Sequence, residues 1–199
     1  MTEVALLAYG AGNLASVRFA LERLGASVRP VSTAAEVAEA ERFILPGVGQ
    51  AGYAMARLKA LGLVEAIRAF ERPLLGICLG QQLLFEASEE SSTPLLGLIP
   101  GRVAKLEPGG GRTVPHMGWS RLSVREADPL LEGVTDGEWA YFVHGYVCPD
   151  GPATLASADY GGPVPAVVRS NNRWGCQFHP ERSAKAGARI LKNFMELAA

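Results

Sequence analysis

Three features of this sequence predict an α/β fold, a mostly parallel, doubly wound sheet with helices on both faces and antiparallel β extensions. Apolar runs of strand length alternate with helical stretches through the first 45 positions, a β-α-β-α-β order that implies parallel strands joined by crossover helices. The runs Val4–Tyr9 and Pro73–Ile77 are continuously apolar rather than alternating, as in strands buried on both faces. A later apolar stretch, Pro73–Ile77, runs directly into Gly76-Ile77-Cys78-Leu79-Gly80, a spacing suited to a sharp strand-to-helix turn.

Taken in order, Val4–Tyr9 reads as the first buried strand. Gly10-Ala11-Gly12 then turns the chain, and Asn13 is placed to cap a helix over Leu14–Leu24. Val17, Leu21 and Leu24 share one face of that helix, and Gly25 stops it. Ser27–Val31 is a second strand, Ala34–Ala40 a short helix and Arg42–Leu45 a third strand. Gln50–Leu61 and Leu63–Phe70 are helical. Pro73–Ile77 is the next buried strand, and Leu79–Glu86 the helix after it. Short β segments follow at Arg102–Leu106, Thr113–His116 and Arg121–Val124, with turns at 107–111 and at Met117-Gly118. These are expected to extend the main sheet antiparallel. A helical turn at Asp128–Leu131 precedes a strand over Glu138–Val143 that continues through His144-Gly145-Tyr146. Further strands are expected at Ala153–Ser157, Ala166–Arg169 and Arg173–Phe178. In the last of them Trp174, Cys176 and Phe178 share a face, which makes Cys176 a core thiol. An amphipathic helix, Ala184–Leu197, closes the chain with Ile190, Leu191, Phe194 and Leu197 turned inward. The expected architecture is flavodoxin-like, one domain over 1–199 without repeats or linkers.

Composition narrows the function classes. Of 199 residues, 48% are apolar and 20% charged, ordinary proportions for a globular chain. The formal net charge of −1, from 19 basic and 20 acidic residues, does not suggest a nucleic-acid partner. No apolar run approaches the roughly 20 residues that span a bilayer, and Met1-Thr2-Glu3-Val4 has neither the basic patch nor the cleavage site of a leader. Cys78, Cys148 and Cys176 show no CxxC spacing, which argues against a metal site and a disulfide framework. An odd number of free thiols suits a reducing compartment, so a cytoplasmic location is expected. Gly10-Ala11-Gly12-Asn13-Leu14-Ala15 fits a loose dinucleotide fingerprint. The second strand ends in Val31-Ser32-Thr33, with no acid to hold a ribose, so no nicotinamide site and no other cofactor is expected.

The elbow at Cys78 is where chemistry is expected. A turn this tight leaves no room for side chains at positions 76 and 80 and presents the thiol at a helix N-terminus, where free N–H groups favour an anion. A cysteine nucleophile needs a base held by a third group. His179 follows a strand directly in Phe178-His179-Pro180-Glu181, and Glu181, two residues on, can orient the ring. His116 and His144 have no adjacent carboxylate and are left as structural or gate residues. Pro46-Gly47-Val48-Gly49 follows the third strand, and its glycines can turn backbone N–H groups toward an oxyanion.

Gly76-Ile77-Cys78-Leu79-Gly80-Gln81-Gln82, with Phe178-His179-Pro180-Glu181 about a hundred residues later, resembles the triad signature of class I glutamine amidotransferases. Tyr9-Gly10-Ala11-Gly12-Asn13, Leu45-Pro46-Gly47-Val48-Gly49, Val114-Pro115-His116-Met117-Gly118-Trp119 and Tyr141-Phe142-Val143-His144-Gly145-Tyr146 are similar to segments of the glutaminase subunits of imidazole glycerol phosphate synthases. The match runs nearly end to end. The resemblance implies that Cys78, His179 and Glu181 hydrolyse glutamine and that N–H groups of Leu79 and the Val48–Gly49 turn hold the oxyanion. It implies that Gln82, Glu90, Gly49 and Gly145 bind glutamine. Asn13, Trp119, Tyr141 and Arg182 would face a (β/α)8 cyclase subunit that receives the ammonia in histidine biosynthesis. Gly145, where relatives often carry serine, and Arg182, where lysine is common, depart from the pattern. Glutaminase subunits of other pathways (anthranilate, aminodeoxychorismate or pyridoxal phosphate), a non-catalytic regulatory domain and a cysteine peptidase of related fold are the alternatives. Val48 speaks against the anthranilate type, which favours Pro-Gly-Pro-Gly.

Overall fold

The computed structural model describes residues 1–109 and 112–198, so Gly110 and Gly111 of the expected 107–111 turn lie outside the described residues. Its main sheet has nine strands. β1 (Glu3–Leu7), β2 (Ser27–Val31), β3 (Phe43–Gly47), β4 (Leu74–Cys78) and β12 (Arg173–Cys176) run parallel in the order β2-β1-β3-β4-β12. β11 (Pro163–Ser170), β10 (Thr154–Asp159), β7 (His116–Val124) and β8 (Trp139–His144) continue it antiparallel. The doubly wound parallel half and the antiparallel extension are as the sequence predicts.

Alternate residues of the central parallel strands feed two cores, one on each face, which is why β3 and β4 are buried and apolar throughout, whereas the edge strand β2 carries Ser27 and Arg29. Val4 and Leu6 of β1, with Leu75 and Ile77 of β4, pack beneath α1 (Leu14–Arg23) and α6 (Ala184–Glu196). Ala5, Leu7 and Leu74 face the opposite core with α2 (Ala34–Glu39), α3 (Ala51–Ala60), α4 (Leu63–Arg68) and α5 (Leu79–Leu83). Asn13 caps α1, its side-chain oxygen accepting from the N–H of Ser16 at 3.3 Å, and Gly25 (φ +89°) ends it. Thr33 and Glu36 form a reciprocal capping box on α2. Trp174, Cys176 and Phe178 lie in one core, as their spacing predicts. No described helix is long and apolar enough to cross a membrane.

Several elements differ from expectation. The first strand ends at Leu7, and Tyr9 is a buried loop residue whose hydroxyl donates to the carbonyl of Pro46. The helix expected over Leu79–Glu86 stops at Leu83, and the chain passes into β5 (Phe85–Ser88). Short apolar runs do not separate helix from strand; here pairing with β6 (Ile99–Lys105) decides. β6 does not extend the main sheet. It joins β5 and β9 (Tyr146–Val147) in a separate three-stranded sheet. The two segments expected around a Met117-Gly118 turn form the single strand β7, because β8 pairs with it without a break from His116↔His144 to Arg121↔Trp139. The last strand stops at Cys176, two residues early, so that 177–179 lead into the site.

Candidate active site

Cys78 ends β4 and precedes α5 with φ +54° and ψ −110°, a conformation that costs a non-glycine residue about 1–3 kcal/mol and persists only where the surroundings impose it. Here glycines impose it. A Cβ on Gly80 would lie 1.9 Å from the carbonyl oxygen of Leu45 in β3, and one on Gly76 2.5 Å from that of Gly80. A Cβ on Gly47 would meet the nitrogen of Gly80 at 2.7 Å. α5 therefore rests directly on strand backbone and aims Cys78 out of the sheet edge. It has only five residues, so it presents free N–H groups at its start rather than the dipole of a long helix.

His179 arrives from the strand beside β4. Its N–H donates to the carbonyl of Tyr141 at 2.9 Å, and its own carbonyl accepts from the Ser183 hydroxyl at 2.7 Å. The same hydroxyl accepts from the N–H of Tyr141 at 2.9 Å, tying the histidine loop to β8. Gly187 in α6 admits the carbonyl of Pro180 where a Cβ would lie 1.9 Å away, which seats the turn carrying Glu181. His179 Nδ1 lies 2.9 Å from Glu181 Oε1, whose side chain is 1% exposed. His179 and Cys78 line the same cavity, where the sulfur also lies 3.7 Å from the carbonyl oxygen of Val143. Burial works against charge on this ring, but the Cys78 sulfur and the Glu181 carboxylate together outweigh it and raise the pKa to about 10. His179 is therefore expected to stay protonated through neutral pH. Glu181→Gln removes one of the two stabilising partners, so its titration moves to lower pH. Histidine NMR over a pH series reads this directly, and an unchanged midpoint in Glu181→Gln would show that the carboxylate does not hold the ring's charge.

Cys78 and His179 open into a cavity of about 250 Å³ lined also by Val48, Gly49, Leu79, Gln82, Glu90, Val143, His144, Gly145 and Tyr146, a size suited to a small polar molecule, while Glu181 reaches it only through the His179 ring. The sequence candidates for oxyanion and glutamine binding thus share one pocket. Gly49 has φ +91°, a conformation open to glycine, beside the half-exposed Val48. Gln82 Nε2 donates to the carbonyl of Tyr146 at 3.1 Å and to Gln177 Oε1 at 3.0 Å. Glu90 Oε2 accepts from the N–H of Ala51 at 2.7 Å, capping α3, whose Gln50 makes no side-chain cap. Nothing lies within 4 Å of a Cβ on Gly145, so glycine there is not a steric requirement. A larger cavity, about 550 Å³ between Trp119, Trp139 and Lys185, contains no cysteine or histidine. No described group of three or more His, Cys, Asp or Glu residues is placed to hold a metal ion.

Of the surface candidates, three cluster. Trp119, half-exposed, meets Tyr141 edge to face at 5.6 Å, and the Arg182 guanidinium lies 5.2 Å from the Tyr141 ring. Asn13 caps α1, a helix that packs against the turn bearing Arg182. Gln177 and Ser183 were missed by sequence reasoning. An isolated glutamine inside an apolar strand, two residues before the candidate base, was the available signal for the first. Ser183 offered none.

The chain is similar to known proteins over nearly its whole length. Residues 6–198 match the model of the family described as glutamine amidotransferase class-I. The chain is 55% identical over 199 residues to a Xylella fastidiosa protein named imidazole glycerol phosphate synthase subunit HisH, covering 100% of both. Among solved structures it resembles a glutamine amidotransferase with a TM-score of 0.75 at 24% identity, covering 97% of each chain. It also resembles a chain in the structure of PurLQS from Thermotoga maritima, with a TM-score of 0.72 at 22% identity, covering 98% of this chain and 99% of that one. These two likenesses bear on the fold; the match over residues 6–198 and the identity across the full length establish that the chain belongs to the class I glutamine amidotransferase family.

Proposed function

We propose that this chain, acting as one glutaminase domain over 1–199, hydrolyses glutamine through Cys78, His179 and Glu181 and delivers ammonia to the cyclase subunit of imidazole glycerol phosphate synthase. The observation that carries the chemistry is His179, held 2.9 Å from Glu181 Oε1, lining one small pocket together with a strained elbow cysteine. The full-length identity to a HisH subunit supports the pathway.

The Cys78 thiolate attacks the carboxamide carbon of glutamine. The carbonyl electrons move onto oxygen, which N–H groups of Leu79 and the Val48–Gly49 turn stabilise; losing one such donor costs about 3 kcal/mol. The protonated His179 gives its proton to the departing nitrogen, releasing ammonia and leaving a glutamyl thioester. The ring, held by Glu181, then takes a proton from water, which attacks the thioester and frees glutamate. The reaction needs no metal or cofactor. Trp119, Tyr141 and Arg182 form an aromatic and cationic surface cluster of the composition that anchors interfaces, and with Asn13 they are the proposed docking face for a (β/α)8 cyclase. The biosynthetic role suits a cytoplasmic enzyme. The test is to mix the chain with that cyclase and follow glutamine-dependent formation of imidazole glycerol phosphate. Glutamate release without cyclisation would retain the glutaminase and discard the pathway.

A further inference from the structure

We infer that the backbone carbonyl of Tyr146 organises the pocket: by accepting from His144 and Gln82 at once, it fixes the direction of every hydrogen bond from Ser120 to Cys78, and it makes Ser120, His116 and Gln177 positioning residues for the glutamine site. The direction of these bonds follows from the structure alone; the ligand rests on the glutaminase reading above.

A carbonyl can only accept. His144 Nδ1 lies 2.8 Å from it and therefore carries a hydrogen. His144 is buried, and burial lowers its pKa to about 3, so the ring is neutral at physiological pH and its Nε2 is an acceptor. His116 Nδ1, 3.0 Å from that nitrogen, must then donate. The His116 ring lies between Phe142 (centroids 4.7 Å apart) and Tyr160 (3.8 Å), and burial lowers its pKa to about 4. It too is neutral, which leaves Nε2 as acceptor for the Ser120 hydroxyl at 2.9 Å. Both rings are thereby held in the Nδ1–H form.

The other arm obeys the same logic. Facing the Tyr146 carbonyl, Gln82 must present its NH2, and the second hydrogen of that group goes to Gln177 Oε1. Gln177 then has its own NH2 turned to the Cys78 sulfur, 3.9 Å away. Both Gln82 hydrogens are consumed, so the group it offers the pocket is a carbonyl oxygen. Glu90 is a second acceptor lining the same cavity, which gives that wall the character of an ammonium site. Ser120 follows Trp119 in β7 with its side chain on the opposite face of the strand, so the line of hydrogen bonds begins behind the proposed docking face and ends at the nucleophile.

The test uses the full-length chain with labelled histidine. Nitrogen-15 spectra at neutral pH should show His116 and His144 both as Nδ1–H tautomers; an Nε2–H form of either ring overturns the inference even if glutamine turnover is intact. Inactivation rates then report on positioning. In His116→Leu the glutamine-mimicking alkylator acivicin should slow about tenfold, the worth of one well-placed hydrogen bond, while small iodoacetamide changes less than about twofold. His116→Asn, which retains an N–H near the Nδ1 position, should recover most of the loss, and Ser120→Ala, which leaves both rings in place, should slow acivicin by about threefold. Equal slowing of both reagents would mean a generally damaged pocket and would overturn the positioning role. A wild-type chain that reacts with iodoacetamide and ignores acivicin removes the glutaminase reading, and the positioning claim falls with it.

Discussion

Cys78→Ala is expected to lower glutamate release, assayed with the cyclase subunit present, by about 10⁴-fold or more, as removing a triad nucleophile does elsewhere. The pocket offers no replacement. Its remaining side chains are amide, carboxylate, imidazole, phenol and aliphatic groups, and His179 and His144 are already committed to partners. The loss should fall on the glutamine reaction alone. With ammonium salt supplied, the variant complex should cyclise at close to the wild-type rate, since the docking cluster of Trp119, Tyr141 and Arg182 makes no use of the sulfur. Cys78→Gly separates chemistry from strain. It should be as inactive as Cys78→Ala yet more stable than the wild-type chain by about 1 kcal/mol, because glycine relieves φ +54°. Residual hydrolysis in Cys78→Ala within tenfold of wild type would remove the sulfur from the mechanism.

What could be seen in the sequence was what is local. The glycines flanking Cys78, the His179-Pro180-Glu181 turn and the continuous apolar strands each carry their constraint within a few residues, and each is where that constraint places it. What escaped depends on distant partners. Phe85 has the apolar character of a helix face, and only pairing with Ile99 makes it a strand residue. Met117-Gly118 has turn composition, but β8 holds it flat at φ +138° for the glycine. Glu90 is expected only as a glutamine-site residue, yet it also caps a helix 39 residues away. Most of all, His116 and His144 lack any adjacent carboxylate, and only the fold sets them in line with Tyr146, Gln82 and Gln177.

The largest stability effect is expected at Gly80, a residue that touches no substrate. A Cβ built there sits 1.9 Å from the Leu45 carbonyl oxygen and 3.0 Å from its carbon. Leu45 lies inside β3, paired with Gly76, so neither atom belongs to a flexible side chain that could swing away. To admit the methyl, α5 must rise by an ångström or more. That movement would carry Cys78 with it and break the packing of Leu79 and Leu83 in the second core. Gly80→Ala should therefore cost about 3 kcal/mol or more, the upper range for overpacking a rigid site. A urea melt should show it as a lower midpoint at unchanged slope. Helix propensity alone favours alanine by about 1 kcal/mol, so the sign of the result separates the two effects. Gly145→Ser serves as the control, because no atom lies within 4 Å of the new Cβ and the expected change in stability is within about 0.5 kcal/mol. If Gly80→Ala left the midpoint where it was, close backbone contact would not be what holds the elbow in its strained form, and the pocket built on that strain would need another support.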